Sequence, residues 1–217
     1  MKSQKDTFIN IFKKQGLSKA VVEAAASIDR EEFFDSCFAA KVYTGEPLLL
    51  GRDEKSDEAL TLAAMIKVLN PQKGWRVLEV GTGSGFSTAL LSSAVKEVVT
   101  IDYHEELALK AKERLLLNGF TNIKFFAGDV SAHAETFELF DAVIVFAGCK
   151  KRPLSLLNAI ADGGTAVFPM GPPHQQQITR FYCPPGFDYE ESLQHCTFHD
   201  FCVYDSIRGI YGWVDRE

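Results

Sequence analysis

One stretch limits this chain more than any other: Trp75-Arg-Val-Leu-Glu-Val-Gly-Thr-Gly-Ser-Gly-Phe86. Arg76 to Val80 is a short apolar run holding one acid, the pattern of a strand buried on both faces. It breaks into three alternating glycines, Gly81, Gly83 and Gly85, and a helical pattern follows from Ser84 to Val95. A strand, a glycine turn and a helix N-terminus make a cradle for a nucleotide cofactor. Glycine accepts positive φ and lets the backbone come within contact distance of a ligand. A turn that merely joined strand to helix would need one glycine and not three. Asp102 ends the next predicted strand, Glu97–Asp102, about 20 residues on. There a carboxylate accepts hydrogen bonds from two vicinal ribose hydroxyls.

The details of the loop select among nucleotides. A phosphate cradle closes on Gly-Lys-Ser/Thr, and this loop contains no lysine. The dinucleotide fingerprint G-x-G-x-x-G puts its third glycine where this chain has Phe86. Glu79, just ahead of the loop, would repel a pyrophosphate but suits a cofactor carrying an ammonium or sulfonium charge. The loop resembles the first motif of S-adenosylmethionine-dependent methyltransferases, E/D-x-G-x-G-x-G.

With 217 residues, 46% of them hydrophobic, the chain has enough material for one substantial core and reads as a single α/β domain. Its expected parts are a helical substrate or lid segment (1–70), a cofactor-binding core (71–172) and C-terminal antiparallel strands (173–217). The expected fold is a Rossmann-like, doubly wound, mostly parallel seven-stranded sheet with helices on both faces and an N-terminal helical extension. A net charge of −6 argues against nucleic acid as a partner. The longest basic cluster, Lys150-Lys151-Arg152, reads as a solvated loop. Five cysteines, never spaced C-x-x-C, suit a reducing compartment without a disulfide framework. No apolar run approaches membrane-spanning length and no signal-peptide core follows the N-terminus. The expectation is a cytoplasmic protein off the membrane, a monomer or weak dimer.

Along the chain, Phe8, Ile11 and Phe12 share a helical face that Gly16 ends, and Ser18 reads as the N-cap of a second helix. Val42 to Gly51 reads as irregular, broken by Gly45 and Pro47. A third helix is predicted from about Ser56 to Leu69, with Asp57 and Glu58 favourably near its N-terminus. After the loop and the strand ending at Asp102, a helix spans roughly His104 to Asn118. Strands follow at Asn122–Phe126 and Phe140–Phe146. Asp162 to Thr165 reads as a turn between helix and strand, and Ala166–Pro169 as the fifth strand. Gln176–Cys183 and Phe198–Tyr204 read as antiparallel strands. Ligands of open parallel sheets bind at the carboxyl ends of strands, so Gly81, Asp102, Asp129 and Ala147 should converge. His195, Cys196, His199 and Cys202 carry metal-capable atoms, but strand alternation divides them between two faces, and no metal site is expected. Cys149 reads as a small buried hydrophobe.

A longer pattern runs through the chain. It comprises Arg30-Glu31-x-Phe33, Tyr43-x-x-x-Pro47-Leu48-x-x-Gly51, the helix and glycine loop, Gly128-Asp129, Phe140-Asp141-x-Val143-Ile144-Val145, Gly163-Gly164 and Pro169-x-Gly171, ending near Gly212-Trp213. In that order these residues resemble the protein-L-isoaspartate O-methyltransferase family, from about Ile28 to Trp213. The resemblance implies S-adenosyl-L-methionine as cofactor, held by Glu79, Gly81, Thr82, Gly83, Ser84, Gly85, Asp102, Tyr103, Asp129, Val130 and Ala147. Within that set it implies that Asp129 bonds the adenine amino group, Val130 packs on the ring and Ala147 lies under the sulfonium. From the residues alone, Asp129 also reads as an N-cap or turn acid. The resemblance further implies isoaspartyl-containing peptides or proteins as substrate, and protein repair as the role.

The chain departs from the family pattern after Gly51. The pattern G-x-G-Q-T-[I/V]-S-x-P, whose hydroxyl and glutamine face the substrate carboxylate, reads here Gly51-Arg-Asp-Glu-Lys-Ser56-Asp-Glu. Ser56 falls one residue short of the motif serine and is carried over as the candidate catalytic residue; its other reading is a cap for the helix that follows. A carboxylate acceptor, with a pKa near 4, is ionised at pH 7 and needs no base. The lack of an obvious catalytic histidine or carboxylate pair agrees with carboxyl methylation. A hydroxyl or amine acceptor would need a base, and His104 and His174 are nearest by position. Two other readings stay open: the same core acting on a small-molecule or RNA acceptor, and a cofactor-binding protein without turnover.

Overall fold

The computed structural model describes residues 3–133, 137–186 and 194–212. Trp213, where the family pattern ends, lies outside them. The chain opens with α1 (Gln4–Gln15) and α2 (Lys19–Ser27). Ser3 and Asp6 form a capping box on α1, and Gly16 closes it in the left-handed conformation. Ser18 caps α2, its hydroxyl accepting from the Val21 N–H. Phe8 and Phe12 are buried as the periodicity predicts, while Ile11 is only partly covered. Two short 3-10 turns follow, Arg30–Phe33 and Ser36–Phe38.

The stretch read as irregular ends in a small antiparallel hairpin, β1 (Leu49–Gly51) and β2 (Glu54–Lys55). Helix α3 (Ala59–Leu69) then starts later than Ser56. The Ser56 hydroxyl accepts from the Leu48 N–H at 3.0 Å, and the Ser56 N–H donates to the Leu48 carbonyl at 2.8 Å. Ser56 therefore closes the hairpin and does not cap the helix. The N-cap is Glu58, whose side chain makes no capping bond.

The main sheet is built from β3 (Arg76–Val80), β4 (Glu97–Asp102), β5 (Ile123–Ala127), β6 (Phe140–Val145), β7 (Ile160–Met170), β8 (Gln176–Tyr182) and β9 (Cys196–Cys202). Between them run α4 (Phe86–Ser92), α5 (Glu105–Leu117), α6 (Val130–His133) and α7 (Leu154–Leu157). The spatial order is β5-β4-β3-β6-β7-β8-β9, parallel through β7 and antiparallel for β8 and β9. This is the doubly wound arrangement expected. Alternate residues feed two cores: Val77, Val98 and Ile144 pack towards α1 to α4, and Leu78, Val99 and Val143 towards Leu156 and Phe168. Strand order reverses between β3 and β6, so a crevice opens beyond their carboxyl ends, beside the glycine loop.

The Gly163-Gly164 segment is not the predicted turn between helix and strand. β7 already begins at Ile160, and its register against β6 jumps from Phe140↔Ile160 to Ala142↔Thr165. The extra residues form a bulge, with Gly163 at φ 80°. A Cβ at Gly164 would come 2.7 Å from the Asp141 carbonyl, so this bulge admits only glycine there.

Glu79, in β3, is fully buried. Its Oε2 accepts from Thr88 Oγ1 at 2.5 Å and Thr100 Oγ1 at 2.7 Å, tying together β3, α4 and β4, while Oε1 has no hydrogen-bond partner. Burial pushes this carboxyl from 4.5 up to about 7, against the pull of its hydroxyl donors. The folded state thus holds a proton that the unfolded chain releases near 4.5. Stability contributed by this group is intact below that value and declines as pH rises towards 7. The shift corresponds to roughly 3 kcal/mol. Urea unfolding of Glu79→Gln should show a flatter pH dependence than the parent between pH 4.5 and 7.5. An unchanged slope would assign the dependence to other groups.

Candidate active site

The loop after β3 is held from both sides. The Gly81 N–H donates to the Ile101 carbonyl at 2.8 Å, and the Gly83 N–H donates to Asp102 Oδ2 at 2.9 Å. Asp102 Oδ1 accepts from the His104 N–H at 3.0 Å. The acid at the end of β4 therefore fixes both the glycine loop and its own turn, while each oxygen keeps a lone pair for a ligand hydroxyl. Gly81, Gly83 and Gly85 all have positive φ (96°, 54° and 90°). Gly85 also sits against α5, where a Cβ would come 3.2 Å from Leu115 and 3.3 Å from Ala111. Phe86, standing where the dinucleotide fingerprint has glycine, starts α4. Its ring centroid lies 5.9 Å from those of Phe8 and Phe33, so this position anchors the N-terminal helices.

A cavity of about 690 Å³ opens above the loop. Of the residues predicted to serve the site, Ser56, Gly81, Gly83, Ser84, Asp102, Tyr103 and Ala147 line it. Glu79, Thr82 and Gly85 support the loop from behind: Thr82 Oγ1 lies 2.6 Å from Thr100 Oγ1, next to the Glu79 carboxylate. Asp129 and Val130 are not on the wall. Asp129 Oδ1 accepts from the Ser131 N–H at 2.8 Å and hydroxyl at 2.7 Å, starting α6, and its Oδ2 lies against Gly209; Val130 is buried in the core. The structure thus gives Asp129 the capping role that its residue type also allowed.

The cavity mouth is closed in part by the β1–β2 hairpin. Glu54 Oε1 meets His104 Nε2 at 3.1 Å and Arg208 Nη2 at 3.4 Å, linking the hairpin to the β4–α5 turn and to the segment after β9. Arg52 and Asp53 both have positive φ (56° and 61°). The family pattern puts its second glycine at position 53, and aspartate is among the few side chains that tolerate this region. The segment after β9 is aligned by Gln176, whose amide donates to the Tyr204 carbonyl at 3.0 Å and accepts from the Tyr204 N–H at 2.7 Å. The Gly148 N–H donates to the Asp205 carbonyl at 2.7 Å, placing residues 204–208 beside Ala147.

Sequence reasoning missed Asp57 on the cavity wall and the buried Arg30 whose charge acts on it. Arg30 is 2% exposed, with its guanidinium carbon 4.8, 4.7 and 5.2 Å from the ring centroids of Phe8, Phe34 and Phe86. Its backbone N–H donates to the Tyr43 hydroxyl at 3.1 Å, and Tyr43 donates to Asp29 at 2.9 Å, so the pattern residues Arg30 and Tyr43 meet. Burial pulls Arg30 down to about 10, which leaves it cationic at neutral pH, and Asp57 favours that charge. Asp57 is on the cavity wall, pushed up to about 6 by burial, with Tyr204 and Arg30 drawing it the other way. The signal that could have found it was countable: from Gly51, the pattern serine falls on Asp57, not Ser56.

The residues present fit an adenosyl sulfonium. The floor lacks side chains at Gly81 and Gly83, Asp102 is turned to accept hydroxyls, and Glu54, Asp57 and Glu58 make the wall acidic. A partnerless oxygen of Glu79 lies beneath that floor. Among the described residues no group of three or more acids, histidines or cysteines is placed to hold a metal ion. Cys149 is buried, and burial pushes its thiol up to about 12, which makes it inert as a nucleophile.

Comparison with known proteins agrees with this geometry. The family model described as protein-L-isoaspartate(D-aspartate) O-methyltransferase matches residues 3–197. A protein-L-isoaspartate O-methyltransferase of Dictyoglomus turgidum is 32% identical over 99% of this chain and 95% of its own length. One from Myxococcus xanthus is 36% identical over 73% of this chain and 76% of its own. Among solved structures, a protein-L-isoaspartate O-methyltransferase superposes with a TM-score of 0.81 at 23% identity, over 96% of this chain and 67% of that one. A putative enzyme of that name from Plasmodium falciparum, in complex with S-adenosyl-L-homocysteine, gives 0.77 at 17% identity over 96% and 99%. A glycine loop locked to the acid of β4, read with a family match that runs through almost the whole length, makes this chain a member of the protein-L-isoaspartate(D-aspartate) O-methyltransferase family.

Proposed function

We propose that this chain methylates the free carboxylate of isoaspartyl residues in damaged proteins, using S-adenosylmethionine, and so serves protein repair. The observation that carries the reading is the Asp102–Gly83 lock beside a cavity that reaches from the glycine loop to Asp57 and Tyr204. When bound, the cofactor supplies an electrophilic methyl group, so the protein's task is to bind, orient and exclude water. Asp102 is aimed at the ribose hydroxyls. Leu107, Phe146 and Ile207 give the wall apolar surface for a base. The acids of the wall offset the positive charge of the sulfonium and ammonium groups. Ser56 remains within the cavity, but its hydroxyl is engaged with the Leu48 N–H, and its first role is to set the hairpin.

The acceptor is an extended peptide segment entering beside the hairpin, and the catalyst acts as a monomer or weak dimer, without nucleic acid, in the cytoplasm. No helix among the described residues is long and apolar enough to cross a membrane, and the net charge of −6 disfavours a polyanionic partner. One observation favours a second reading, a different acceptor on the same cofactor core: Arg52 to Asp57 shares no residue type with the family pattern at its glycine, glutamine, threonine and serine positions.

Transfer of labelled methyl to an isoaspartyl peptide, run beside its aspartyl twin, separates these readings. Base-labile label on the isoaspartyl peptide alone is expected; no label on it, with cofactor affinity retained, would favour the second reading. Asp102→Ala removes both the lock on Gly83 and the ribose acceptor. It should weaken S-adenosylhomocysteine binding by at least about tenfold in calorimetry, since hydrogen bonds to a charged group contribute roughly 1.5–3 kcal/mol. Unchanged affinity would remove Asp102 from the cofactor site.

A further inference from the structure

The far end of the cavity presents an acid to a substrate that is itself an acid. Asp57 stands between β2 and α3, on the cavity wall. Arg30 in the first 3-10 turn, Glu79 in β3 and Tyr204 in the segment after β9 all act on its charge, while Glu58 adjoins it in sequence. Lys55 is the wall cation nearest in sequence, but it is exposed. Around Asp57 the donors are not used up. Arg30, almost wholly buried, has no hydrogen-bond partner for Nε or Nη1. The buried Tyr204 hydroxyl is close enough to interact with Asp57 without reaching hydrogen-bond geometry, and it has no other partner. Glu79 Oε1 is equally without one. A buried polar atom left without a partner is costly, and the Tyr204 hydroxyl, on the cavity wall with Asp57, is placed for a ligand contact.

We propose that Asp57 is the acceptor-recognition residue of this site: in its protonated form it donates a hydrogen bond to the substrate carboxylate, and the two acids share one proton. This rests on the isoaspartyl reading above. Two carboxylates brought to hydrogen-bond distance do not both stay ionised, because their repulsion in a desolvated site raises one of them strongly. Asp57 is the member prepared to take the proton. Burial has already raised it to about 6, whereas a free peptide carboxyl titrates near 4. Once protonated, Asp57 offers the substrate an O–H, the same kind of donor that a serine would present from that position. The proton stays on Asp57, and the acceptor oxygen remains anionic in character and free to attack. Arg30, kept cationic among three phenyl rings, holds the local charge balance while one negative charge resides in the pair.

The sign of the pH effect follows. Above about 6 the free enzyme has lost the Asp57 proton and must recover it on binding, so affinity for an isoaspartyl peptide should fall roughly tenfold per pH unit. The wall also carries the imidazoles of His104 and His174, and both are kept in the Asp57 variants. The test is calorimetric titration of an isoaspartyl peptide into the intact protein saturated with S-adenosylhomocysteine, at pH 7.5, in two buffers of different ionisation enthalpy. The wild type should take up about one proton per peptide bound. Asp57→Asn, which keeps a donor, and Asp57→Ser should take up none, and should bind with little pH dependence between 6 and 8. Binding by the wild type without proton uptake, or with the same uptake in Asp57→Asn, would overturn the role of Asp57 while leaving the isoaspartyl reading in place. If neither the wild type nor either variant binds the peptide at any pH from 5.5 to 8, with cofactor affinity intact, the isoaspartyl reading fails, and this proposal with it.

Discussion

A single hydrogen bond organises this protein: the Gly83 N–H given to Asp102 Oδ2 at 2.9 Å. It joins the tip of the glycine loop to the end of the neighbouring strand, and so turns two strand ends into one surface. Beneath it, Glu79 ties β3, α4 and β4 through Thr88 and Thr100, and Thr82 leans on the same network. The arrangement costs stability at neutral pH, because a carboxyl sits in the core with one oxygen unpaired. It also leaves the loop floor without side chains at Gly81 and Gly83 and with a buried carboxyl beneath it, which a cationic nucleoside would favour in its ionised form.

The rest of the chain builds on that floor from three directions. The N-terminal helices seat Phe8 and Phe33 on Phe86 and enclose Arg30 among the rings. The β1–β2 hairpin crosses the mouth, pinned by Glu54 to His104 and Arg208. Gln176 aligns the segment after β9 beside Ala147. Each of these contacts joins residues far apart in sequence. The surface ion pairs among them contribute little energy individually, but together they fix where the hairpin lies.

That distinction between local and distant contacts explains what could be read from the sequence. The glycine loop, the acid at position 102 and the strand periodicities are local, and they appear where they were expected. The Gly163-Gly164 bulge reads locally as a turn, because only the pairing of β7 with β6 shows that the strand has already begun. Ser56 looks like a cap because a hydroxyl precedes a helical pattern, yet its bond runs back to Leu48. Asp129 caps its own helix, as its residue type allowed, but its contact with Gly209 comes from a distant segment that its turn pattern does not disclose. Asp57 looked like a favourable charge at a helix start. The groups that act on its charge, Arg30, Glu79 and Tyr204, come from three separate segments, and only the fold brings them within its influence.

The most direct test of the central claim compares two ligands of the intact protein by calorimetry: S-adenosylhomocysteine and its analogue lacking both ribose hydroxyls. If the lock between Gly83 and Asp102 presents a carboxylate to the ribose, the parent ligand binds saturably, one per chain, and the analogue binds at least about tenfold more weakly, the loss of one or two hydrogen bonds to a charged acceptor. Equal affinities, or no heat from either ligand while the fold stays intact, would contradict it.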